Sequence, residues 1–392
     1  MKKRFYTLWE NLIRASGFCS TLLVLSISFY LFREAYGLFR NSGVESGYSI
    51  FVHQSNPIQE FEPDTLRKIF NKDVRRWSEI GGIDERIEIF SLSDLEKKFK
   101  EEALGPDLQF VPEKVWEYSE NKPAIIGYFP SKLLDSRHKT VAVRQIEFSD
   151  LVFGDSWFPA SSPIASFGAA SILLGSLWVS FGAILFAMPM GLVVAIYLAE
   201  IANPRMREIS LHFIELLAGI PSVVFGFFGL VLVVPLLKDI FNLDQGESAL
   251  AGSIILGIIS LPTIISITQD AFLTIPKDIK ASSLSLGATE LQTIFFVLIP
   301  YAKSAIFAAM ILGIGRAFGE TMAVLMVTGN AAIIPESFFQ PVRTITATIA
   351  SELGEAPNGG IHYEALFVLG TILFVFTFLL NLIANFFVGK KS

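Results

Sequence analysis

The chain has 392 residues, of which 52% are hydrophobic and 17% charged, with a mean hydropathy of +0.53. That is too apolar for an ordinary soluble protein, and runs of about 20 apolar residues are what membrane-crossing helices require. The net charge of −6 lies within residues 41–166, where 15 basic and 21 acidic residues leave 16 of each elsewhere. No basic domain suited to nucleic acid exists, and the single Cys19 excludes an intrachain disulfide or a cysteine zinc site.

Lys2, Lys3, Arg4 and Arg14 precede a non-ionic run at 15–32. The run exceeds a signal-peptide core, and Arg33-Glu34 stands where a small-residue cleavage site would lie, so a retained first span with a cytoplasmic N-terminus is expected. Cys19 falls inside this run and is expected to be packed against lipid or another helix, not reactive. Residues 41–166 are soluble in character. They read as a short helix at 62–70, a strand at 86–90, a capping box of Ser93 and Glu96 opening a charged helix to about Leu104, and strands at 124–129 and 140–146. A small α/β domain with a modest core is expected there.

Five further apolar runs follow, at about 167–202, 213–237, 249–273, 301–329 and 363–388. The fold class expected is an all-α polytopic membrane protein of six transmembrane helices, with an α/β extracytoplasmic domain inserted between helices 1 and 2. The division is 1–40, 41–160 and 161–392. Six spans put both termini on one side. The segments then assigned to the cytoplasm hold Lys2, Lys3, Arg4, Arg14, Arg205, Arg207, Lys277, Lys280, Lys303, Lys390 and Lys391, whereas the two short outer loops hold only Lys238 and Arg343. Prolines within spans two, three and four are tolerated where neighbouring helices or a cavity satisfy the freed backbone, which favours a transporter-like bundle over a simple anchor.

Two stretches carry candidate chemistry. Arg316 lies 16 residues after Pro300 and 13 before Gly329, which predicts a position near mid-membrane, with Glu320 one turn on and able to pair with it. An ionisable residue at such a depth is costly and a functional hypothesis by default. The pair reads either as a structural ion pair between helices or as a substrate-path arginine restrained by a carboxylate; the planar guanidinium fork suits oxyanions. On the polar side, Gly287 followed by a capping box of Thr289 and Gln292 predicts a helix–turn–helix in the loop 276–300, which reads as a surface hairpin or as a docking element for an ATPase. His53, His138, His212 and His362 lack metal-ligand spacing, and no phosphate-loop, zinc-protease or G-x-S-x-G motif occurs, so neither a metal site nor nucleotide hydrolysis is expected on this chain.

Gly287, Val297, Ile299 and Pro300 resemble the cytoplasmic-loop signature of ABC-importer permeases, Glu-Ala-Ala, three residues, Gly, nine residues, Ile-x-Leu-Pro. The Glu-Ala-Ala is here Ala281-Ser282-Ser283, a departure that removes the acidic residue. Residues 216–224 (LLAGIPSVV), 315–324 (GRAFGETMAV), 344–355 (TITATIASELGE) and 153–157 (FGDSW) resemble the phosphate-importer permeases of the PstC type over about residues 150–390. The resemblance implies a subunit that pairs with a sister permease, two ATPase subunits and an extracytoplasmic phosphate-binding protein in a bacterial inner membrane. ATP and Mg would lie on the partner ATPase, and no cofactor or enzyme activity would belong to this chain. It also implies a substrate-path role for Arg316 and Glu320. Residues 63–70, 77–82 and 124–128 resemble pieces of phosphate-binding proteins, but 90–96 (FSLSDLE) has no glycine where a Ser/Gly-rich phosphate loop is usual. The insert is therefore expected not to bind phosphate alone. A permease for molybdate or sulfate, and a membrane receptor with an outer sensing domain, remain alternatives.

Overall fold

The computed structural model describes residues 2–45, 47–99, 104–105, 108–161 and 164–389. It divides into two compact units, one comprising Met1–Gly168 with Ala356–Val368, the other Ala169–Glu355 with Leu369–Ser392.

In the first unit, the helix Lys2–Leu38 contains the span Leu12–Leu38. Its far end meets the start of the final helix, where Asn41 Nδ2 donates to Glu364 Oε2 at 2.6 Å and Tyr30 packs edge-on against Phe367 at 5.7 Å. Cys19 is exposed on the helix surface.

The polar insert is an α/β domain, as its alternating strands predict. Its five strands are β1 (Tyr48–Val52), β2 (Glu60–Phe61), β3 (Glu88–Ser91), β4 (Ile125–Pro130) and β5 (Lys139–Val143), in the order β2-β5-β1-β4-β3. β1 runs antiparallel to both β4 and β5, while β2 and β3 lie parallel to their neighbours at the edges. Period-2 alternation sends Ile50 and Val52 to a core with Leu66, Ile69 and Trp77, and Phe51 to a second core with Phe90, Val111 and Val115 on the other face. Phe51 lies over Gly127, its cross-strand partner; a Cβ there would come within 2.0 Å of the ring.

Sequence reading misses the central strand β1 and the helix Val111–Ser119. The charged helix spans Leu92–Lys98, and its cap is Ser91 with Asp94 in place of the expected Ser93 and Glu96. Its expected extension over 100–103 lies outside the described residues. The segment after the insert folds back as a hairpin of β6 (Trp157–Phe158) and β7 (Ser166–Phe167), and Arg67 donates to Ser156 Oγ and Ser166 Oγ.

His138 is buried against Phe51 and Trp116, with Nδ1 3.1 Å from the Asp135 carbonyl. Burial pushes its pKa below the ordinary 6.5 and outweighs the backbone hydrogen bond, so the folded imidazole stays neutral where the unfolded one takes a proton. The unfolded state then binds more protons just below pH 6.5, and stability present above that pH is lost as pH falls toward the folded pKa, by at most about 1.4 kcal/mol per pH unit. Thermal melts of the insert between pH 7 and 5.5 should therefore show a falling Tm that flattens in His138→Phe. Equal slopes in the two proteins would refute this account.

The second unit holds most of the helical bundle. Candidate spans cover Ala170–Ile201, Ser222–Phe241, Ala249–Leu273, Glu290–Phe318 and Ile361–Phe387, which with Leu12–Leu38 make six among the described residues. Two spans differ from expectation. The third span begins at Ser222, because Phe213 belongs to a separate helix, Pro204–Gly219, capped by Asn203 and ended before Pro221. The fifth begins at Glu290 and ends at Phe318, because Pro300 does not start the helix. Pro235 and Pro300 each follow a π turn, Gly229–Val233 and Ile294–Leu298, whose wider backbone accommodates a ring that lacks an N–H and crowds the preceding turn.

Spans two and four form the tightest pair. Small residues line their seam: Gly182, Ala183 and Ala187 on one, Gly252, Ser253 and Gly257 on the other, all buried. Ser253 Oγ, which donates to the Ala249 carbonyl of its own helix at 2.7 Å, also lies 3.3 Å from the Val179 carbonyl across it.

Candidate functional site

The fifth span is a broken helix, and the break defines the site. Its helical run from Glu290 to Phe318 has 29 residues, or about 44 Å at 1.5 Å per residue, longer than a hydrocarbon core of about 30 Å. Gly319 ends it, and a short helix, Met322–Val327, begins after Thr321. Arg316 therefore sits two residues before the broken end, not halfway along a continuous span.

The expected i+4 pairing of Arg316 with Glu320 is not formed. The helix stops at Phe318, so Glu320 leaves the register that would stack it over Arg316. Among the described residues no ion pair joins the two. Arg316 is exposed on this chain and its Nη1 lies 3.4 Å from Thr263 Oγ1, on span four one residue past Pro262. Glu320 is half-buried, and its main-chain carbonyl accepts from Thr346 Oγ1 at 2.6 Å.

Thr346 comes from the polar connection after the fifth span, which is not a loose loop. It carries the helix Ile345–Glu352, whose first turn is buried and whose N-cap, Thr344, accepts from Ala347 N. The Ile345 N–H donates to Ser176 Oγ of span two at 2.9 Å. Phe338 and Gln340 carbonyls accept from Leu250 N and Ala249 N, satisfying the first donors of span four. Arg343 pairs with Glu352 at 2.8 Å. Sequence reading singled out neither Thr263 nor Thr346 as a site residue; the alternating Thr344, Thr346 and Thr348 at the start of that helix was the available signal.

The polar hairpin is formed as its motifs predict. Helix Lys277–Ser285 carries Ala281, Ser282 and Ser283; Gly287 takes φ +90°, a left-handed turn that strains any residue with a Cβ. Thr289 and Gln292 form the reciprocal capping box, and Ser283 Oγ meets Thr293 Oγ1 at 2.9 Å to pin the two arms. Val297 and Ile299 are half-buried and Pro300 exposed along the helix that follows. The hairpin presents Leu286, Leu291, Phe295 and Phe296 as exposed apolar side chains, Leu286 at 89%. In the insert, the Asp94 carboxylate accepts from Ser91 N and Ser91 Oγ at 3.1 and 2.6 Å, so an internal anion already occupies the start of that helix.

Residues 187–391 match the family model of binding-protein-dependent transport system inner membrane components. The chain belongs to this family of multi-pass membrane permeases and is not itself an enzyme. It is similar to a probable ABC transporter permease protein, YqgH, of Bacillus subtilis, with 39% identity over 237 residues covering 60% of this chain and 76% of the relative. The phosphate transport system permease protein PstC of Mesorhizobium japonicum is 40% identical over 252 residues, 59% of this chain and 76% of the relative. A solved chain of the MetNI methionine ABC transporter is 18% identical, with a TM-score of 0.45, across 57% of this chain and 95% of its own.

Proposed function

We propose that this chain is the membrane permease subunit of an ATP-driven inorganic phosphate importer, forming half of the translocation path. The carrying observation is Arg316: a guanidinium held at a helix break by a hydroxyl and not by a carboxylate, and so left able to receive an oxyanion. The likeness to relatives named as phosphate transport permeases supports phosphate over other oxyanions. The hairpin around Gly287 docks the cytoplasmic ATPase through its exposed apolar side chains. The partners are a sister permease, two ATPase subunits that hold ATP and Mg, and a phosphate-binding protein. The chain lies in a bacterial inner membrane with both termini cytoplasmic and the insert outside.

The insert contributes a docking surface and not a receptor, since Asp94 fills the anion-accepting end of its helix. Uptake of labelled phosphate into cells lacking the chain, then restored with it, tests the function. Unlabelled phosphate should compete and sulfate or molybdate should not; the reverse pattern would favour another oxyanion, and normal uptake without the chain would favour a receptor. Calorimetry on residues 41–168 should detect no phosphate binding, and tight one-to-one binding would make the insert a receptor.

A further inference from the structure

The cytoplasmic end of span two is not α-helical. Residues Tyr197–Ile201 form a π turn that leaves carbonyls out of the usual ladder. Arg207, from the helix that follows, captures two of them: Nε donates to the Leu198 carbonyl at 2.6 Å and Nη2 to the Ala199 carbonyl at 2.8 Å. The one carboxylate of the turn, Glu200, is 12% exposed and accepts from Lys280 Nζ at 2.6 Å. Lys280 lies on the first arm of the polar hairpin, directly before Ala281, where the related signature carries its acidic residue. Around the pair, Ala199, Phe272, Ile275, Ile294 and Leu298 pack into one apolar cluster that Ile279 adjoins.

Glu200 is the sheltered member and Lys280 is half-exposed, so removing Lys280 would strand the carboxylate in a poorly solvated place. π turns recur at functional sites because they give a helix a locally adjustable register. Among the described residues this is the only ion pair linking the hairpin to another element.

We infer that Glu200 and Lys280 form the tie that carries displacement of the hairpin into span two, with the π turn as the compliant joint and Arg207 as its clamp. The two are positioning residues: they touch neither substrate nor nucleotide. The inference rests on the reading of the hairpin as the ATPase-docking element. It locates the acidic side of the linkage on span two, in a chain whose hairpin carries Ala281 at the signature's acidic position.

The test uses the complete transporter in proteoliposomes and reads phosphate imported per ATP hydrolysed. Glu200→Gln and Lys280→Met should each lower that ratio about fivefold or more, as expected for loss of a coupling contact, with the ATPase still co-purifying. Lys280→Arg should keep the ratio, and the exchange Glu200→Lys with Lys280→Glu should recover most of it. An unchanged ratio in both single variants overturns the inference, as does an exchange variant no better than the singles. Loss of ATPase co-purification in the singles alone would make the pair a structural part of docking and overturn it too. If the ATPase fails to co-purify with the unaltered chain, the docking reading itself fails, an outcome separate from the others.

Discussion

Arg316→Gln is expected to reduce phosphate uptake to near background while leaving the transporter assembled. Hydrogen bonds to a charged group contribute about 1.5–3 kcal/mol, so losing the guanidinium from a path for a charged substrate should cost roughly 10- to 100-fold in uptake. Glutamine is a good helix former, and Arg316 makes no ion pair among the described residues, so the fold has little reason to change. The same geometry orders two variants. Glu320 meets Thr346 through its main-chain carbonyl, which Glu320→Gln preserves, and removing its carboxylate strands no partner among the described residues. Glu320→Gln should therefore impair uptake less than Arg316→Gln. Labelled-phosphate uptake at matched membrane content decides both points. Full uptake in Arg316→Gln removes that residue from the path, and an equal loss in the two variants means that they act as a unit despite the break.

Gly182→Leu should prevent accumulation of folded protein. A Cβ at this position would lie 2.3 Å from Ser253 Oγ and 2.8 Å from the Phe338 ring. Overpacking a dense core costs about 1–3 kcal/mol even where neighbours adjust, and here the obstacle includes the Ser253 hydroxyl, which lies at the contact of spans two and four. The seam would open along its length. Gly17→Leu is the control, since nothing lies within 4 Å of a Cβ there. Membrane content and the Tm of the detergent-extracted protein should drop for Gly182→Leu and stay level for Gly17→Leu. A Gly182→Leu protein that accumulates and melts normally would show that the seam tolerates separation.

Six spans, the α/β insert and the capped hairpin were legible because each rests on a local pattern. Apolar run length, period-2 alternation, and Thr289 with Gln292 around Gly287 all act within a few residues. The fifth span was misread at both ends for two physical reasons. Pro300 looks like a helix start, but the π turn before it lets the helix run through. Gly319 and Thr321 look tolerable inside a membrane helix, and the break there frees the Glu320 carbonyl, which Thr346, far along the chain, satisfies. The Arg316–Glu320 pair followed from assuming a continuous helix and failed with it. Strand β1 was hidden because Tyr48–Val52 is only five residues long and ends in three successive buried apolar residues in place of a clean alternation; its flanking partners, β4 and β5, come about 80 residues later. Lys280 was read only as a cytoplasmic charge, since its partner Glu200 belongs to a different span.

The polar connection that folds back onto the bundle bears on the order in which the chain matures during synthesis. Ser176 of span two waits for the Ile345 N–H, 169 residues downstream, and the first donors of span four wait for Phe338 and Gln340. Insertion of spans two, four and five therefore precedes completion of their own polar contacts. Until residues 338–352 emerge, the half-made bundle holds open backbone groups that water or a membrane chaperone must cover. Truncations ending before residue 338 should be inserted yet remain substrates for membrane proteases, with quality control reading a connection that hydropathy alone marks as dispensable.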